Sequence, residues 1–222
     1  MSLSNEPVAM QGRRSGASAS GLRAADALSD AKTDLADSRQ RNDAAGSIKL
    51  TLPLDRGQLK NLHAGDACTL TGPLFTLRDA GHMRLIAELD EAGSDDLPYG
   101  LSGQAIFYAG PSPESAGRPF GAIGPTTASR MDFAAPRLHR AGVVASIGKG
   151  HRSQEVRQAC IDTGSVYFVA VGGVAAYLAK CVTSSEVIAY DDLGTEALRR
   201  VEVVDFPVFV GIDTQGNDIY DL

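Results

Sequence analysis

Residues 143–171 read VVASIGKGHRSQEVRQACIDTGSVYFVAV, and this stretch predicts a strand, a helix and a second strand in succession. Val143–Ile147 is a short apolar run of the kind that forms a buried strand. Ser153–Thr163 fits a helix, and it begins with a serine, a residue type that caps helix N-termini. Val166–Val171 is apolar again and rich in β-branched and aromatic side chains. Strands and helices that alternate in this way indicate an α/β architecture.

Further strands are predicted on both sides of that stretch. Residues 48–54 alternate between apolar and polar side chains, as a half-buried strand does. Short apolar runs predict additional strands at Ala67–Thr71, Gln104–Tyr108, Glu186–Tyr190 and Val208–Ile212. Because several strands precede the alternating part, we expect an α/β fold with parallel and antiparallel pairing in one mixed sheet.

Two more helices are predicted before the opening stretch. Residues 78–89 fit a helix, because Met83, Ile86 and Leu89 recur at helical spacing. Residues 124–127, Gly-Pro-Thr-Thr, open a second helix. Pro136 is expected to interrupt or end that helix, because proline lacks the backbone donor a helix interior needs.

The chain divides into a polar tail, residues 1–46, and a folded domain, residues 47–222. The tail mixes positive and negative charges and contains no aromatic residue, so it buries little by itself and is predicted to be disordered. A mitochondrial presequence is the alternative, since Arg13, Arg14 and Arg23 are present. Several acidic residues in the same tail argue against that alternative.

Composition excludes several classes of protein. The chain has 222 residues and a net charge of -6, which argues against general nucleic-acid binding. No apolar run approaches the roughly 20 residues that span a bilayer, so no membrane association is expected. There is no apolar signal-peptide region near the start, and we expect a cytoplasmic protein. A local cluster of basic side chains can still bind a small anion despite the acidic balance.

The cysteines are Cys68, Cys160 and Cys181, which are odd in number and widely spaced. This pattern is typical of reduced, buried thiols in a cytoplasmic protein. No two of them have the close spacing of an iron–sulfur motif. If a cluster takes part in the function, its cysteines are therefore expected on another chain, and no metal ligand is predicted here.

The segment Gly124–Asp132, with the sequence GPTTASRMD, is the strongest candidate for a binding site. Free backbone N–H groups at a helix start favour an anion. Thr126 and Arg130 are four residues apart and would share one helix face. An arginine grips a carboxylate through two parallel hydrogen bonds, so a carboxylate is the expected ligand. A capped helix with a solvated arginine is the alternative.

Two further loops add basic side chains to this candidate site. Lys149 follows the predicted strand Val143–Ile147 between two glycines, which let the backbone approach a ligand. Arg78 stands at a helix start and is followed four residues later by His82, which can face the same way. A surface lysine in a tight turn and a packed or surface histidine remain the alternatives.

Taken in order, these stretches resemble the C-terminal domain of class I fumarases and the β-subunit of L(+)-tartrate dehydratase. The resemblance covers roughly residues 47–222, and the GPTT…RMD block is its most specific part. The matching pieces are LRDAGH (77–82), IFYAGP (106–111), GPTTASRMD (124–132), IGKG (147–150), GGVAAYL (172–178) and VDFP (204–207).

The resemblance implies a swivelling β/β/α domain that closes over a partner. It implies that an α-subunit carries a [4Fe-4S] cluster, and that two copies of each subunit form a heterotetramer. The implied reaction is reversible hydration or dehydration of a small dicarboxylate, either fumarate and malate or tartrate and oxaloacetate. The implied catalytic residues are Thr126, Arg130 and Lys149, with Arg78 and His82 added for substrate binding. Thr126 is the base that the family suggests, although a free threonine hydroxyl is a weak base.

Two other functions stay open from the sequence alone. The same basic pocket suits a non-catalytic dicarboxylate-binding or regulatory module. A pure assembly subunit is also compatible with the pattern, and in it Arg130 and Lys149 would be replaceable without effect. The sequence does not choose between fumarate or malate and tartrate.

Overall fold

The computed structural model describes residues 46–114 and 117–222. Within this part of the chain, seven strands form one sheet. They are β1 (Ile48–Thr51), β2 (Ala67–Thr76), β3 (Ala105–Phe107), β4 (Ala145–Gly148), β5 (Val166–Val169), β6 (Val182–Ala189) and β7 (Leu198–Ile212). The α-helices are α1 (Arg56–Leu59), α2 (Asp79–Ala92), α3 (Ala135–Ala141), α4 (Gln154–Thr163) and α5 (Ala175–Lys180), with 3-10 turns at Pro98–Gly100, Ala128–Met131 and Asp191–Glu196.

The strand order is β1-β2-β3-β4-β5-β7-β6, and β2 also pairs with β7. Neighbours from β1 to β5 run parallel, whereas β7 runs antiparallel to β2, β5 and β6. Because β7 bonds to both β2 and β5, the strands β2, β3, β4, β5 and β7 close into a ring. The predicted α/β class, with parallel and antiparallel pairing in one mixed sheet, is confirmed.

Alternating side chains on the ring strands build two separate cores, as the two-residue period of a strand requires. Phe107, Phe168 and Phe206 belong to the core inside the ring. Ile106 and Tyr167 point outward into the second core, where α2, α3 and α4 cover them with side chains such as Leu85, Leu138 and Cys160. Burying large apolar side chains on both faces stabilises the ring and its helices as one unit.

Several predicted elements are confirmed with small shifts. The opening stretch folds as β4, α4 and β5, and the Ser153 hydroxyl accepts a 3.4 Å hydrogen bond from the backbone N–H of Val156, as a cap does. The predicted strand Val208–Ile212 exists but is the end of a far longer one, Leu198–Ile212. Its first half alternates charged with buried apolar residues, which hid the strand in the sequence.

The helix predicted over residues 78–89 is confirmed as α2; Met83 is 58% exposed, because α2 turns a stripe containing Gly81, Leu85 and Leu89 toward the core. The prediction for Pro136 was wrong. Pro136 does not end a helix; it lies in the first turn of α3, where a missing N–H costs nothing. The local pattern was compatible with both arrangements, and packing selected one.

The predicted polar tail lies, except for Gly46, outside the described residues, and so does the presequence alternative. None of the helices in the described part combines the length and the apolarity that crossing a bilayer requires.

Candidate active site

Loops that follow four neighbouring parallel strands meet at the carboxyl edge of the sheet. Arg78 follows β2, Gly110 follows β3, Lys149 follows β4 and Gly172 follows β5. The loops approach closely: a β-carbon added at Gly110 would lie 2.9 Å from Cδ of Arg78, and one at Gly172 would lie 3.8 Å from Cδ of Lys149. In α/β proteins, ligands commonly bind at the carboxyl ends of the parallel strands.

The segment that carries Thr126 is fixed to this edge by backbone hydrogen bonds. The N–H of Thr126 donates to Tyr108 O at 2.7 Å, and the N–H of Lys149 donates to Thr126 O at 3.1 Å. The N–H of Ala128 donates to Lys149 O at 2.8 Å. A β-carbon on Gly148 would lie 2.8 Å from that of Ala128, so this close approach requires glycine. Thr126 and Lys149, predicted separately, therefore lie side by side.

One detail of the prediction was wrong. The segment does not start a helix at Thr126; a 3-10 turn occupies Ala128–Met131, and α3 begins at Ala135. The N–H groups of Thr126 and Ala128 are used by carbonyl groups of the neighbouring loops, so they are not free for an anion. Side chains, rather than backbone donors at these two positions, must bind a ligand here.

Arg78 and Arg130 come together through a shared carboxylate. Nε of Arg130 lies 2.8 Å from Oδ1 of Asp79, and a terminal nitrogen of Arg78 lies 3.5 Å from Oδ2 of the same side chain. Arg78 also lies 3.6 Å from Glu196. The Arg130 side chain is 51% exposed, and Nε is its atom held by Asp79.

Thr126 and Lys149 present unpaired polar ends beside these arginines. Thr126 is half-buried and Lys149 is exposed. Within residues 46–114 and 117–222, neither side chain forms a hydrogen bond or an ion pair. The edge thus combines three cations with two carboxylates, Asp79 and Glu196, which leaves one net positive charge. Such a surface attracts a small anion even in an acidic protein.

Comparison with known families decides the assignment. Residues 21–222 match the family described as the fumarase C-terminus. This chain belongs to that family. The resemblance predicted from the sequence motifs is confirmed.

Relatives of this fumarase C-terminal domain include whole enzymes and a subunit. The anaerobic class I fumarate hydratase of Escherichia coli is 41% identical over 180 residues, which cover 79% of this chain and 32% of that protein. Fumarate hydratase 2 of Leishmania major is 37% identical over 180 residues, covering 78% and 31%. A Methanocaldococcus jannaschii protein, provisionally named L(+)-tartrate dehydratase subunit beta, is 34% identical over 174 residues, covering 76% and 88%. The chain spans about a third of the fumarate hydratases it matches.

His82 belongs to the interior of the fumarase C-terminal domain rather than to its surface. The side chain is fully buried, Nδ1 lies 2.9 Å from Arg78 O, and the ring meets Tyr108 edge to face at 5.2 Å. Burial lowers the pKa of His82 to about 4, so the ring is neutral near pH 7. A packed histidine is thus observed, in contact with the backbone of Arg78 and the ring of Tyr108.

A buried ion pair lies under the exposed edge, and sequence reasoning missed it. Nε of Arg152 donates to Oδ1 of Asp132 at 2.7 Å, and the N–H of Ser153 donates to Oδ2 at 2.6 Å. The Arg152 side chain is 0% exposed. Its guanidinium stacks over Tyr108 at 5.3 Å and over Tyr167 at 4.7 Å. Burial lowers the pKa of Arg152, but Tyr108 and Asp132 outweigh that effect and raise the pKa above its ordinary value.

The three cysteines of the domain do not form a metal site. Cys68 and Cys160 are buried in different cores, and Cys181 ends α5. Burial raises the pKa of the Cys68 thiol to about 12 and that of Cys160 to about 11, which disfavours the thiolate that binds metal. Among the described residues, no three His, Cys, Asp or Glu side chains are grouped to hold a metal ion. The residues that the structure describes therefore do not fit an iron–sulfur cluster.

Proposed function

We propose that this chain is the substrate-binding β-subunit, or C-terminal domain, of an iron–sulfur hydro-lyase acting on a small dicarboxylate. The observation that carries the proposal is the cationic edge, where Asp79 joins Arg78 to Arg130 and a backbone hydrogen bond joins Lys149 to Thr126. Its relatives support the reaction class, because they are named as fumarate hydratases and as a tartrate dehydratase subunit. The size of the M. jannaschii relative supports the subunit reading, since this chain covers 88% of it.

In this proposal the basic side chains bind the carboxylates of the substrate. Arg130 keeps Nε on Asp79 and offers its terminal nitrogens as a fork to one carboxylate. Lys149 supplies a flexible point charge to the same carboxylate, and Arg78 stabilises the opposite end of the substrate. Removing a proton next to a carboxylate builds negative charge on that group, and fixed cations lower the energy of such a state.

Thr126 is proposed as a residue that touches the reacting part of the substrate. Its backbone is hydrogen-bonded to that of Lys149, and its hydroxyl has no hydrogen-bond partner among the described residues. A threonine hydroxyl acts as a base only if a neighbour lowers its pKa, and the nearby cations Arg130 and Lys149 are the candidates for that effect. A Thr126→Val variant that keeps its affinity and loses turnover would support a catalytic contact; loss of affinity alone would assign binding only.

A partner chain completes the site in this proposal. One net positive charge is too little for a dianion, so further substrate contacts are required from elsewhere. The [4Fe-4S] cluster is assigned to the α-subunit, because the cysteines of this chain do not fit it. An assembly of two copies of each subunit is part of the proposal. The free cysteines support a reducing compartment, and we propose the cytoplasm.

The test is hydro-lyase activity on L-malate and L-tartrate without oxygen, for this chain alone and with a cluster-loaded α-subunit. Activity only in the mixture supports the subunit reading, and the preferred substrate identifies the enzyme. Arg140, an exposed arginine on α3, provides a matched control: Arg140→Ala should leave turnover unchanged. No activity in a stable, loaded complex would contradict the proposal.

A direct titration separates the enzyme from the binding-module alternative. The full chain alone is titrated with fumarate, malate and tartrate by calorimetry. The subunit reading predicts weak binding, because part of the site belongs to the partner. Tight binding by the isolated chain, together with an inactive complex, would favour a dicarboxylate-binding or regulatory module.

A further inference from the structure

Two carboxylates from different parts of the chain hold the guanidinium of Arg78. Asp79 is its neighbour in sequence, and Glu196 ends the 3-10 turn Asp191–Glu196 between β6 and β7. Both carboxylates contact the same terminal nitrogen, Nη2, at 3.5 and 3.6 Å. The other terminal nitrogen, Nη1, lies 3.0 Å from where a β-carbon of Gly110 would stand. No side chain among the described residues pairs with Nη1, so it is the terminal nitrogen left for a ligand.

Glu196 also fixes the helix that follows Arg78. Its Oε2 accepts a 2.7 Å hydrogen bond from the N–H of Ala80 in the first turn of α2. Arg78 occupies the capping position of α2 but forms no capping hydrogen bond through its side chain. The carboxylate of Glu196 therefore satisfies a donor at this helix start from a distant part of the chain, where the helix dipole also favours a negative charge. One side chain thus connects the start of α2 with the guanidinium of Arg78.

The turn that carries Glu196 is anchored to α2 at its other end. Arg84 forms two hydrogen bonds to Asp192, at 2.6 and 2.8 Å. The Tyr190 hydroxyl donates to Glu88 at 2.9 Å. Tyr190 has a φ of 62°, which is uncommon for a residue with a large side chain and has to be maintained by its surroundings. The turn is therefore held against α2 along its length, which limits the movement of Glu196.

The first residues of β7 add a further hydrogen bond to this turn. A terminal nitrogen of Arg199 donates to Gly194 O at 3.3 Å, and Nε of the same side chain is shielded from solvent. The next residue, Arg200, instead forms an ion pair with Glu202 at 2.6 Å. Glu202 therefore provides a paired carboxylate on the same strand that can be compared with Glu196.

We propose that Glu196 is a positioning residue that sets the orientation of the Arg78 guanidinium toward a carboxylate of the substrate. The inference rests on the proposed function, because that function assigns Arg78 to substrate binding. The negative charge of Glu196 by itself repels a dicarboxylate, so an effect of charge alone would make binding tighter when the charge is removed. Positioning gives the opposite sign, since a displaced guanidinium loses its alignment with the substrate.

The hold on Arg78 is tested in the full chain alone, by NMR of its side-chain N–H group. Nε of Arg78 is shielded from solvent, so its proton should exchange slowly enough to be observed, and Arg78→Lys assigns the signal. Glu196→Gln keeps an acceptor for the N–H of Ala80 and removes the charge. It should speed the exchange of the Arg78 proton about tenfold by loosening the local structure, whereas Glu202→Gln should leave the exchange unchanged. Unchanged exchange in Glu196→Gln, or no signal in the unaltered chain, would overturn the proposal.

The consequence for the substrate is measured in the complex with the cluster-bearing subunit, on L-malate and L-tartrate. Glu196→Gln should raise KM about tenfold and change kcat by less than about threefold, as expected for lost binding. In an Arg78→Met background the same substitution should leave kcat/KM unchanged, because the residue through which it acts is gone. A lower KM in Glu196→Gln, or an equal loss in both backgrounds, would overturn the proposal. An inactive complex of unaltered chains would count against the proposed function, while the exchange rates would still decide whether Glu196 holds Arg78.

Discussion

Two arginine–aspartate pairs in this domain have nearly the same length and very different surroundings. Arg130 meets Asp79 at 2.8 Å with half of its side chain in solvent, whereas Arg152 meets Asp132 at 2.7 Å with none. An exposed pair contributes little to stability and is easily rearranged around a ligand. A buried pair cannot rearrange easily, because removing one partner leaves an unpaired charge in the interior at a large cost in free energy. An arginine–aspartate pair is thus suited to ligand binding when it is exposed, as at Arg130, and to positioning of the chain when it is buried, as at Arg152.

The buried pair connects the two segments that carry the exposed cations. Asp132 ends the segment that contains Arg130, and Arg152 follows the loop that contains Lys149. Because Asp132 also accepts from the N–H of Ser153, it holds the start of α4 against that segment. The relative placement of Arg130 and Lys149 therefore depends on groups that touch no ligand.

The largest effect is expected from Arg130→Ala, which breaks the exposed pair. Assayed in the complex with the cluster-bearing subunit, kcat should fall by about 100- to 1000-fold, as when one donor to a charged intermediate is lost. The midpoint of urea unfolding should not move, since the pair is exposed. Near-normal turnover would remove Arg130 from the site.

Lys149→Met tests the second exposed cation. We expect a fall of about 100-fold in kcat/KM, equivalent to about 2.7 kcal/mol of lost stabilisation, with an unchanged melting temperature. The methionine keeps the length of the side chain near Gly172 and removes only the charge. A lower melting temperature with intact kinetics would mean that Lys149 is structural.

Arg152→Met breaks the buried pair and should act on stability first. Leaving Asp132 without its partner should lower the free energy of unfolding by about 3–5 kcal/mol, measured by urea denaturation. Arg152→Lys should recover part of this, because it restores the charge without the planar fork that stacks on Tyr108 and Tyr167.

The matched control for Arg152 is Arg84→Met, which breaks an exposed pair with Asp192. It should leave the unfolding midpoint unchanged. Equal stability losses in the two methionine variants would contradict the distinction between buried and exposed pairs.

The smallest effect is a pH dependence that arises from buried His82. Its pKa is about 4 in the folded chain and ordinarily 6.5, so the unfolded chain binds more protons between these values. Its contribution to stability is therefore complete above pH 6.5 and is lost as the pH falls toward 4. His139 is buried with a pKa lowered to about 4 as well, and it adds a slope of the same sign.

His82→Asn isolates this contribution and keeps a donor for Arg78 O. Lowering the pH from 7 to 5 reduces the free energy of unfolding of the unaltered chain. In the variant this reduction should be smaller by about 2 kcal/mol. Any loss of packing affects both pH values equally and cancels in the difference. An unchanged difference would show that the buried ring does not titrate with the expected shift.

The sequence by itself determined the strand–helix–strand core, the mixed α/β class and the family. Apolar runs such as Val143–Ile147 and glycine-flanked loops are local signals. The family can be recognised from the order of residues in the GPTT…RMD block. Arg78, Thr126, Arg130 and Lys149 could be selected for the same reason: each stands next to a turn that follows or precedes a predicted element.

Only the tertiary structure decided which charges are buried. Asp132 and Arg152 look like any other charged residues in their segments, and Arg199 resembles its neighbour Arg200. Their difference arises when β7 closes the ring and the helices cover its outer face, because burial depends on contacts between distant parts of the chain. For the same reason the sequence left His82 undecided between surface and core, whereas packing encloses it.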